Sequence, residues 1–264
     1  MSPAHRSEGE ITAIGRATDL LKQFRESRGS LSAAALVRRT DLPKSTVYRM
    51  VADLVRVGLL ERDGDDYRPG ILLFEIGEAV PRQRDLRDAA KRHLATLHQA
   101  TLENVGLALL DGFEVVHLEM FRGREGPRLP QHTGGRWPAH ASASGKAVLA
   151  FSGDTVEVPA VLPRFTERTI VDHAELQVEL DRVRRRGVAF DRQEAIAMIV
   201  GVAAPVFGPD GAVLAAVSMS GVAGRIDTSR MDAAVRTTAL TISQDLADAR
   251  SVVRPVLQAR RDGR

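Results

Sequence analysis

Pro43 restricts the folds that the N-terminal part of the chain can adopt, because it separates two short amphipathic segments. Ser32 predicts the start of a helix over Ala33–Arg39, and "RTDLP" ends it, since the residue before a proline is disfavoured in helical geometry. Another helix opens near Ser45, a cap or first-turn residue, and runs to about Val57. Two helices joined by so short a turn predict a helix-turn-helix corner.

The segments on either side of this corner extend it to a larger unit. Apolar residues at helical spacing predict a first helix over Thr12–Arg25. After the third helix, "LLERD", the turn signal "GDD" and "YRP" predict a short hairpin, or wing. This order of elements is typical of a winged helix-turn-helix domain, which we place at residues 10–69.

The third predicted helix has an exposed face that is rich in hydrogen-bond donors. Its predicted buried stripe consists of Val47, Met50, Val51 and Leu54. Lysine, arginine, hydroxyl groups and the N–H groups of a helix N-terminus bind phosphates, and arginine also pairs with guanine edges. The candidate DNA-binding residues are Arg38, Lys44, Ser45, Thr46, Tyr48 and Arg49. The alternative interpretation is a solvated helix with an ordinary cap.

Charge, composition and cysteine content narrow the class of protein. The 264 residues are 44% apolar with a formal charge of +3, and residues 30–60 alone hold five basic and two acidic side chains. This local excess favours a narrow nucleic-acid-binding surface. With no cysteine and no histidines at zinc-binding spacing, the sequence indicates neither a metal site nor a cofactor. No long apolar segment or signal peptide is visible, so we expect a cytoplasmic protein without a membrane partner.

The rest of the chain predicts a second domain of the α+β class. The apolar segment "GILLFEIGEA" predicts a linker helix within residues 70–83. Beyond it, paired strands turn at Asp111-Gly112 and at Pro209 to Gly211. The intervening helices are predicted over Asp85–Gln99, Asp172–Arg186 and Met231–Val253. Strands in pairs predict an antiparallel sheet rather than a doubly wound one, in a domain that we place at residues 84–258.

The chain resembles the IclR family of bacterial transcription regulators over about residues 12–250. The match begins with "AAALVRRTDLPKSTVYRMVADLVRVGLLERDGDDYRPG". It continues in order with "AHASASGKAVLA", "RRRGVAFDRQE" and "VAAPVFGPDGAVLAAVSMSG", before a long final helix. The resemblance implies a winged helix-turn-helix, a linker helix and a GAF-like effector domain. It also implies a homodimer or homotetramer on a palindromic operator in double-stranded DNA and, by family habit, repression.

Small side chains on two neighbouring predicted strands indicate space for a ligand. One strand presents Gly201 and Ala203 on a single face, and the small face of the next strand ends in Ser218 and Ser220. Two such faces leave room for a small molecule. The alternative is a helix that packs closely on the sheet and therefore requires small residues.

The resemblance places an effector pocket at these strands. Its implied lining consists of Ala143, Ser144, Asp191, Gly201, Ser218 and Ser220. Family members often have glycine where Met198 stands and cysteine where Gly201 stands, so the pocket should differ in shape. Ser144 and Gly145 predict a short helix whose free N–H groups bind an anion. We therefore expect a small organic-acid effector, either hydroxylated or aromatic.

Other interpretations compete with a ligand-responsive regulator. A hydrolase would use His140, Ser142, Ser144, Lys146 and Asp191. However, the chain has neither a complete P-loop nor a G-x-S-x-G elbow, so the motifs favour a protein that is not an enzyme. A constitutive DNA-binding protein whose second domain only oligomerises remains open. Arg184–Arg186 indicate a solvated helix end that interacts with the helix dipole, rather than a nucleic-acid-binding patch.

Overall fold

The computed structural model describes residues 12–27, 29–123 and 132–259, and the chain divides into two compact units after Pro81. The first two residues of the predicted DNA-binding domain, 10 and 11, lie outside the described residues. Within the described ranges, no helix is both long and apolar enough to cross a membrane.

The first unit contains five helices and a two-stranded sheet within its described residues. They are α1 (Ala13–Lys22), α2 (Phe24–Ser27), α3 (Ala33–Arg39), α4 (Lys44–Arg56), β1 (Leu60–Asp63), β2 (Asp66–Pro69) and α5 (Ile71–Glu78). The prediction of one unbroken first helix to Arg25 is wrong, because the Gln23 N–H donates to the Leu20 carbonyl at 3.1 Å and closes the helix with a tighter turn.

Local capping explains where α3 and α4 begin. The Ser32 hydroxyl accepts the Ala35 N–H at 3.1 Å, so Ser32 is the N-cap that the sequence predicts. Pro43 occupies the N-cap of α4, which makes Lys44 the first helical residue and Ser45 a first-turn residue. The fixed backbone angle of proline thus sets the start of α4 without a side-chain cap.

The wing closes onto the helices through backbone contacts. Leu31 and Tyr67 exchange backbone hydrogen bonds of 2.8 and 2.9 Å, which tie β2 to the segment before α3. Gly70 ends the wing, where a Cβ would lie only 2.2 Å from the Gly58 carbonyl oxygen. The core beneath is formed by Leu20, Phe24, Leu31, Leu36, Val47, Val51, Leu54 and Leu60.

In its described residues, the second unit is built around a six-stranded antiparallel sheet. Its helices are α6 (Pro81–Thr101), α7 (Ala143–Leu149), α8 (His173–Arg186) and α9 (Thr228–Ala259). Its strands are β3 (Asn104–Asp111), β4 (Glu114–Phe121), β5 (Arg136–Pro138), β6 (Ala189–Arg192), β7 (Ile199–Phe207) and β8 (Val213–Val222). They lie in the order β5-β4-β3-β8-β7-β6.

Helix α6 begins earlier than the predicted Asp85, at Pro81. Proline suits the first turn of a helix, because the N–H that it lacks has no partner there. The boundary predicted between residues 83 and 84 therefore falls inside α6.

The two faces of the sheet pack against different helices. On β8, Ala215, Val217 and Met219 share a core with residues of α6 and α9. Ala216, on the opposite face, shares a second core with residues of α7 and α8. The alternation of a strand therefore sends every second residue of β8 toward α7. This face contains the residues predicted to bind the effector.

Candidate nucleic-acid interface and effector site

Helix α4 separates its apolar residues cleanly from its donors. Val47 and Val51 are 0% and 1% exposed, whereas Tyr48 is 46% exposed. Of the remaining candidates, Thr46 is half-buried, and Lys44, Ser45, Arg49 and, on α3, Arg38 are exposed. The first two turns of α4 thus place five of the six predicted DNA-binding residues on one helix.

The basic side chains on α3 and α4 differ in whether they already form an ion pair with an acidic residue. Arg56, near the end of α4, forms an ion pair of 2.8 Å with Asp53. Arg38 and Arg49 have no acidic partner among the described residues, and the Lys44 ammonium lies 5.7 Å from the centre of the Tyr48 ring. Unpaired guanidinium groups keep their donors available for phosphates and base edges.

Three of the predicted effector residues lie side by side across β6, β7 and β8. Asp191 pairs with Gly201, and Gly201 pairs with Ser220. Residues that pair directly lie on the same face of a sheet, so these three share one face. In the next row, Ser218 pairs with Ala203. Strand register therefore brings together residues that are up to 29 positions apart in the sequence.

Helix α7 meets this row at its first residue. A Cβ at Gly201 would lie 3.6 Å from the Cβ atoms of both Ala143 and Asp191. Ser144 follows Ala143 in α7 and is buried. The predicted effector residues therefore belong to one region of the second unit.

Close helix packing accounts for part of the small-residue face. Ala203 and Ala216 share a core with Ala143 and Ala147 of α7. Gly145 is also required by packing, because a Cβ there would lie 2.2 Å from the Ala139 carbonyl oxygen. The same face of the sheet also presents the polar residues Asp191, Ser218 and Ser220.

The predicted anion site at Gly145 is wrong. Ser142 is the N-cap of α7, and its hydroxyl accepts the Gly145 N–H at 3.1 Å while donating to the Pro138 carbonyl at 2.8 Å. The sequence predicts that the helix opens at Ser144, whereas its first residue is Ala143, so the Gly145 N–H that this prediction counts as free is already used by the cap.

A buried cluster of charges lies beside Asp191. The Lys146 side chain is fully buried, and its ammonium lies 2.6 Å from both carboxylate oxygens of Glu194. The Glu194 N–H donates to Asp191 at 2.7 Å. Burial raises the pKa of Asp191 to about 7; the nearby Glu194 carboxylate adds to the rise, whereas hydrogen bonds and Lys146 oppose it. Burial therefore favours the protonated form of Asp191 far more than in an exposed aspartate.

His117 is a further polar residue on this face that the sequence interpretation did not assign to the site. It is 3% exposed, and burial lowers its pKa to about 4, so the imidazole is neutral. A Cβ at Gly106 would lie 3.3 Å from both the His117 ring and the Ser218 hydroxyl. The alternation in "EVVHLEM", which puts His117 on the same face as the buried Val115, is the signal that could have found it.

The hydrolase alternative requires a nucleophile beside a base, and the contacts here do not provide that pair. Ser142 is engaged with backbone groups, and Lys146 is bound to Glu194. The Nε2 atom of His140 lies 3.0 Å from the Pro163 carbonyl, to which it donates. Within the described part of the chain, no group of three or more metal-ligating side chains is placed to hold an ion.

Comparison with known proteins covers both units. The family model "Bacterial transcriptional regulator IclR C-terminal" matches residues 78–244, and "IclR helix-turn-helix domain" matches residues 13–64. The HTH-type transcriptional repressor AllR of Klebsiella pneumoniae is 32% identical over 243 residues, which are 89% of this chain and 89% of that protein. The HTH-type transcriptional regulator XynR of Escherichia coli is 30% identical over 228 residues, covering 84% and 90% of the two chains.

A solved structure extends the match to three dimensions. The crystal structure of an IclR homologue from Microbacterium hydrocarbonoxydans, complexed with 4-hydroxybenzoate, is 30% identical and superposes with a TM-score of 0.80. The match covers 89% of this chain and 99% of the Microbacterium chain. Since the family models together match most of both units, which have the predicted winged helix-turn-helix and α+β folds, the chain belongs to the IclR family of DNA-binding bacterial transcription regulators.

Proposed function

We propose that this regulator represses transcription from a palindromic operator and that a small organic acid changes its affinity for that DNA. DNA binding is assigned to residues 10–69 and effector binding to residues 84–258, joined by residues 70–83. The observation that carries the DNA-binding assignment is the exposed donor face of α4, whose Arg49 has no acidic partner among the described residues. Repression is the activity of the similar AllR protein, and it is proposed here by that likeness. We further propose that the protein acts in the cytoplasm.

The six candidate DNA-binding residues, which together form the reading surface, have separate roles. Arg49 sits one turn into α4 and pairs with base edges in the major groove. Lys44, Ser45 and Thr46, at the N-terminus of α4, bind phosphates together with Arg38 of α3. Tyr48 supports Lys44 through its ring and donates from its hydroxyl.

An acidic ligand fits the polar end of the proposed effector site. The hydroxyls of Ser218 and Ser220 donate to a carboxylate, and a protonated Asp191 adds another donor instead of repelling it. Ala143 and Gly201 lie beside Asp191 without bulky side chains, and Ser144 follows Ala143 in α7. The Microbacterium homologue was crystallised with 4-hydroxybenzoate, and that likeness supports an aromatic or hydroxylated acid for this chain.

Thermal-shift screening of organic acids tests this assignment. Ligand stabilisation follows RT ln(1 + [L]/Kd), or about 2.7 kcal/mol at a hundredfold excess over Kd. We expect at least one small hydroxylated or aromatic acid to raise the Tm of the full chain. The Ser218→Ala, Ser220→Ala variant should show a much smaller increase, because it lacks both hydroxyl donors.

Repeating the same assay at several pH values tests the role of Asp191. If the bound acid needs the protonated carboxyl, its affinity falls about tenfold for each pH unit above about 7, since a proton must be taken up on binding. Asp191→Asn should abolish this dependence. Stabilisation by cations or neutral molecules alone, or an unchanged response of the double serine variant, would rule out the acid pocket.

Helix α5 supplies the proposed interface of a homodimer, which can pair again as a homotetramer. None of its residues is buried, and Ile71, Phe74 and Ile76 are 62%, 62% and 54% exposed. So many apolar side chains on an eight-residue helix favour contact with a second copy.

Phe74→Asp should therefore convert the assembly to monomers in sedimentation velocity, because it places a charge in an apolar interface. Glu75→Gln, at an exposed neighbouring position of the same helix, serves as the control and should leave the mass unchanged. An unchanged mass for Phe74→Asp would show that the copies associate elsewhere.

A further inference from the structure

A cleft of about 470 Å³ opens in the second unit between the end of α8, β7 and α9. Four arginines line it, three from the last turn of α8 and one from α9. They are Arg184, Arg185, Arg186 and Arg236. The described residues that line the cleft include no carboxylate and none of the proposed effector residues, so this is a separate site.

The four arginines divide into two that are held in place and two that are unpaired. Arg184 forms an ion pair with Asp181, and Arg236 forms one with Asp232. Arg185 and Arg186 are exposed and have no acidic partner among the described residues. The cleft therefore keeps a local excess of two positive charges.

Arg236 closes the gap between the two helices. Its Nη1 atom lies 3.4 Å from the position that a Cβ would occupy at Gly187, the left-handed residue that ends α8. A helix dipole explains cations in the last turn of α8, but it does not explain an arginine supplied by α9. Convergence from two helices is what distinguishes this cleft from a solvated helix end.

Apart from Ser243, the side chains that form the remaining walls of the cleft are apolar. Phe151 and Phe207 pack edge to face, with ring centres 5.2 Å apart, and Pro205 lies in the same wall. Leu240, on α9, is 60% exposed although it is a large apolar side chain. Apolar walls beneath a rim of donors are the usual composition of a small-molecule site, and the volume lies within the usual range for one.

We propose that this cleft binds a small organic anion with an apolar body, in addition to any ligand of the effector site. The guanidinium groups hold its carboxylate or phosphate, for which arginine has matching bidentate geometry. The body of the ligand lies against Phe207 and Leu240 and covers exposed apolar surface.

Calorimetric titration of the full chain carrying Ser218→Ala and Ser220→Ala tests the proposal independently of the effector site. The probes are phenyl phosphate and phenylacetate, which present one body with two different anions. We expect saturable binding of at least one probe, with one molecule per chain. Arg185→Gln with Arg186→Gln in the same background should weaken it at least about tenfold, because hydrogen bonds to charged groups are lost.

A charge-matched control excludes nonspecific attraction. Arg164→Gln with Arg230→Gln removes two exposed arginines outside the cleft and should leave the affinity unchanged. The proposal is overturned if neither probe binds saturably, if the two arginine pairs have equal effects, or if inorganic phosphate binds as tightly as phenyl phosphate.

Discussion

Replacing Lys146 with methionine should lower the free energy of unfolding of the second unit by about 3–5 kcal/mol. The substitution keeps much of the volume of the side chain but removes the charge that faces both oxygens of Glu194. Glu194 would then be an unpaired buried carboxylate beside Asp191, which costs far more than the loss of an exposed ion pair. Trp137, the single tryptophan, lies in β5 of the same unit and reports its unfolding in urea by fluorescence.

The double variant Lys146→Met, Glu194→Met separates a lost partner from lost packing. An apolar pair of similar size should recover most of the stability, because no buried charge is left without a partner. If the free energy of unfolding of Lys146→Met lay within about 1 kcal/mol of the parent value, this would contradict the structural role assigned to the pair.

Arg49→Ala should cost about 1–3 kcal/mol of specific DNA affinity per reading helix, or roughly 5- to 150-fold. The protein should keep its stability, because Arg49 lies off the buried stripe of α4. Fluorescence anisotropy measures this with a sequence selected from random DNA, beside a scrambled duplex. Binding to the scrambled duplex should change little, so that the specificity ratio falls.

Two further variants distinguish contacts to base edges from contacts to phosphates. Lys44→Ala should weaken binding to all sequences and reduce the dependence of affinity on salt, since one phosphate contact is lost. Arg56→Ala removes an arginine that is already paired with Asp53 and should have little effect on either duplex. Selected-sequence affinity that stays unchanged in Arg49→Ala would remove Arg49 from the reading surface.

Local rules predict the first unit well because its boundaries are set by neighbouring residues. Pro43 fixes the start of α4, Ser32 caps α3, and the period of apolar residues separates the two faces of α4. The break at Gln23 escapes such rules, because one tighter hydrogen bond decides it.

In the second unit the residues of one site are brought together by strand register. The alternation of β8 indicates that Ser218 and Ser220 share a face. It does not indicate that Asp191 and Gly201 align with Ser220, which depends on how three strands pair. The same holds for Lys146 and Glu194, whose contact spans 48 positions and leaves no periodic signal in the sequence.

The most direct test of the regulatory account is the affinity of the full chain for the selected DNA, measured with and without an organic acid that raises its Tm. We expect the acid to change the DNA dissociation constant of the parent by at least about tenfold, which is within the usual range of coupling between sites. The Ser218→Ala, Ser220→Ala variant should bind the DNA equally well but respond far less to the acid. An acid that stabilises the parent while leaving its DNA affinity unchanged would contradict the account and favour a constitutive DNA-binding protein.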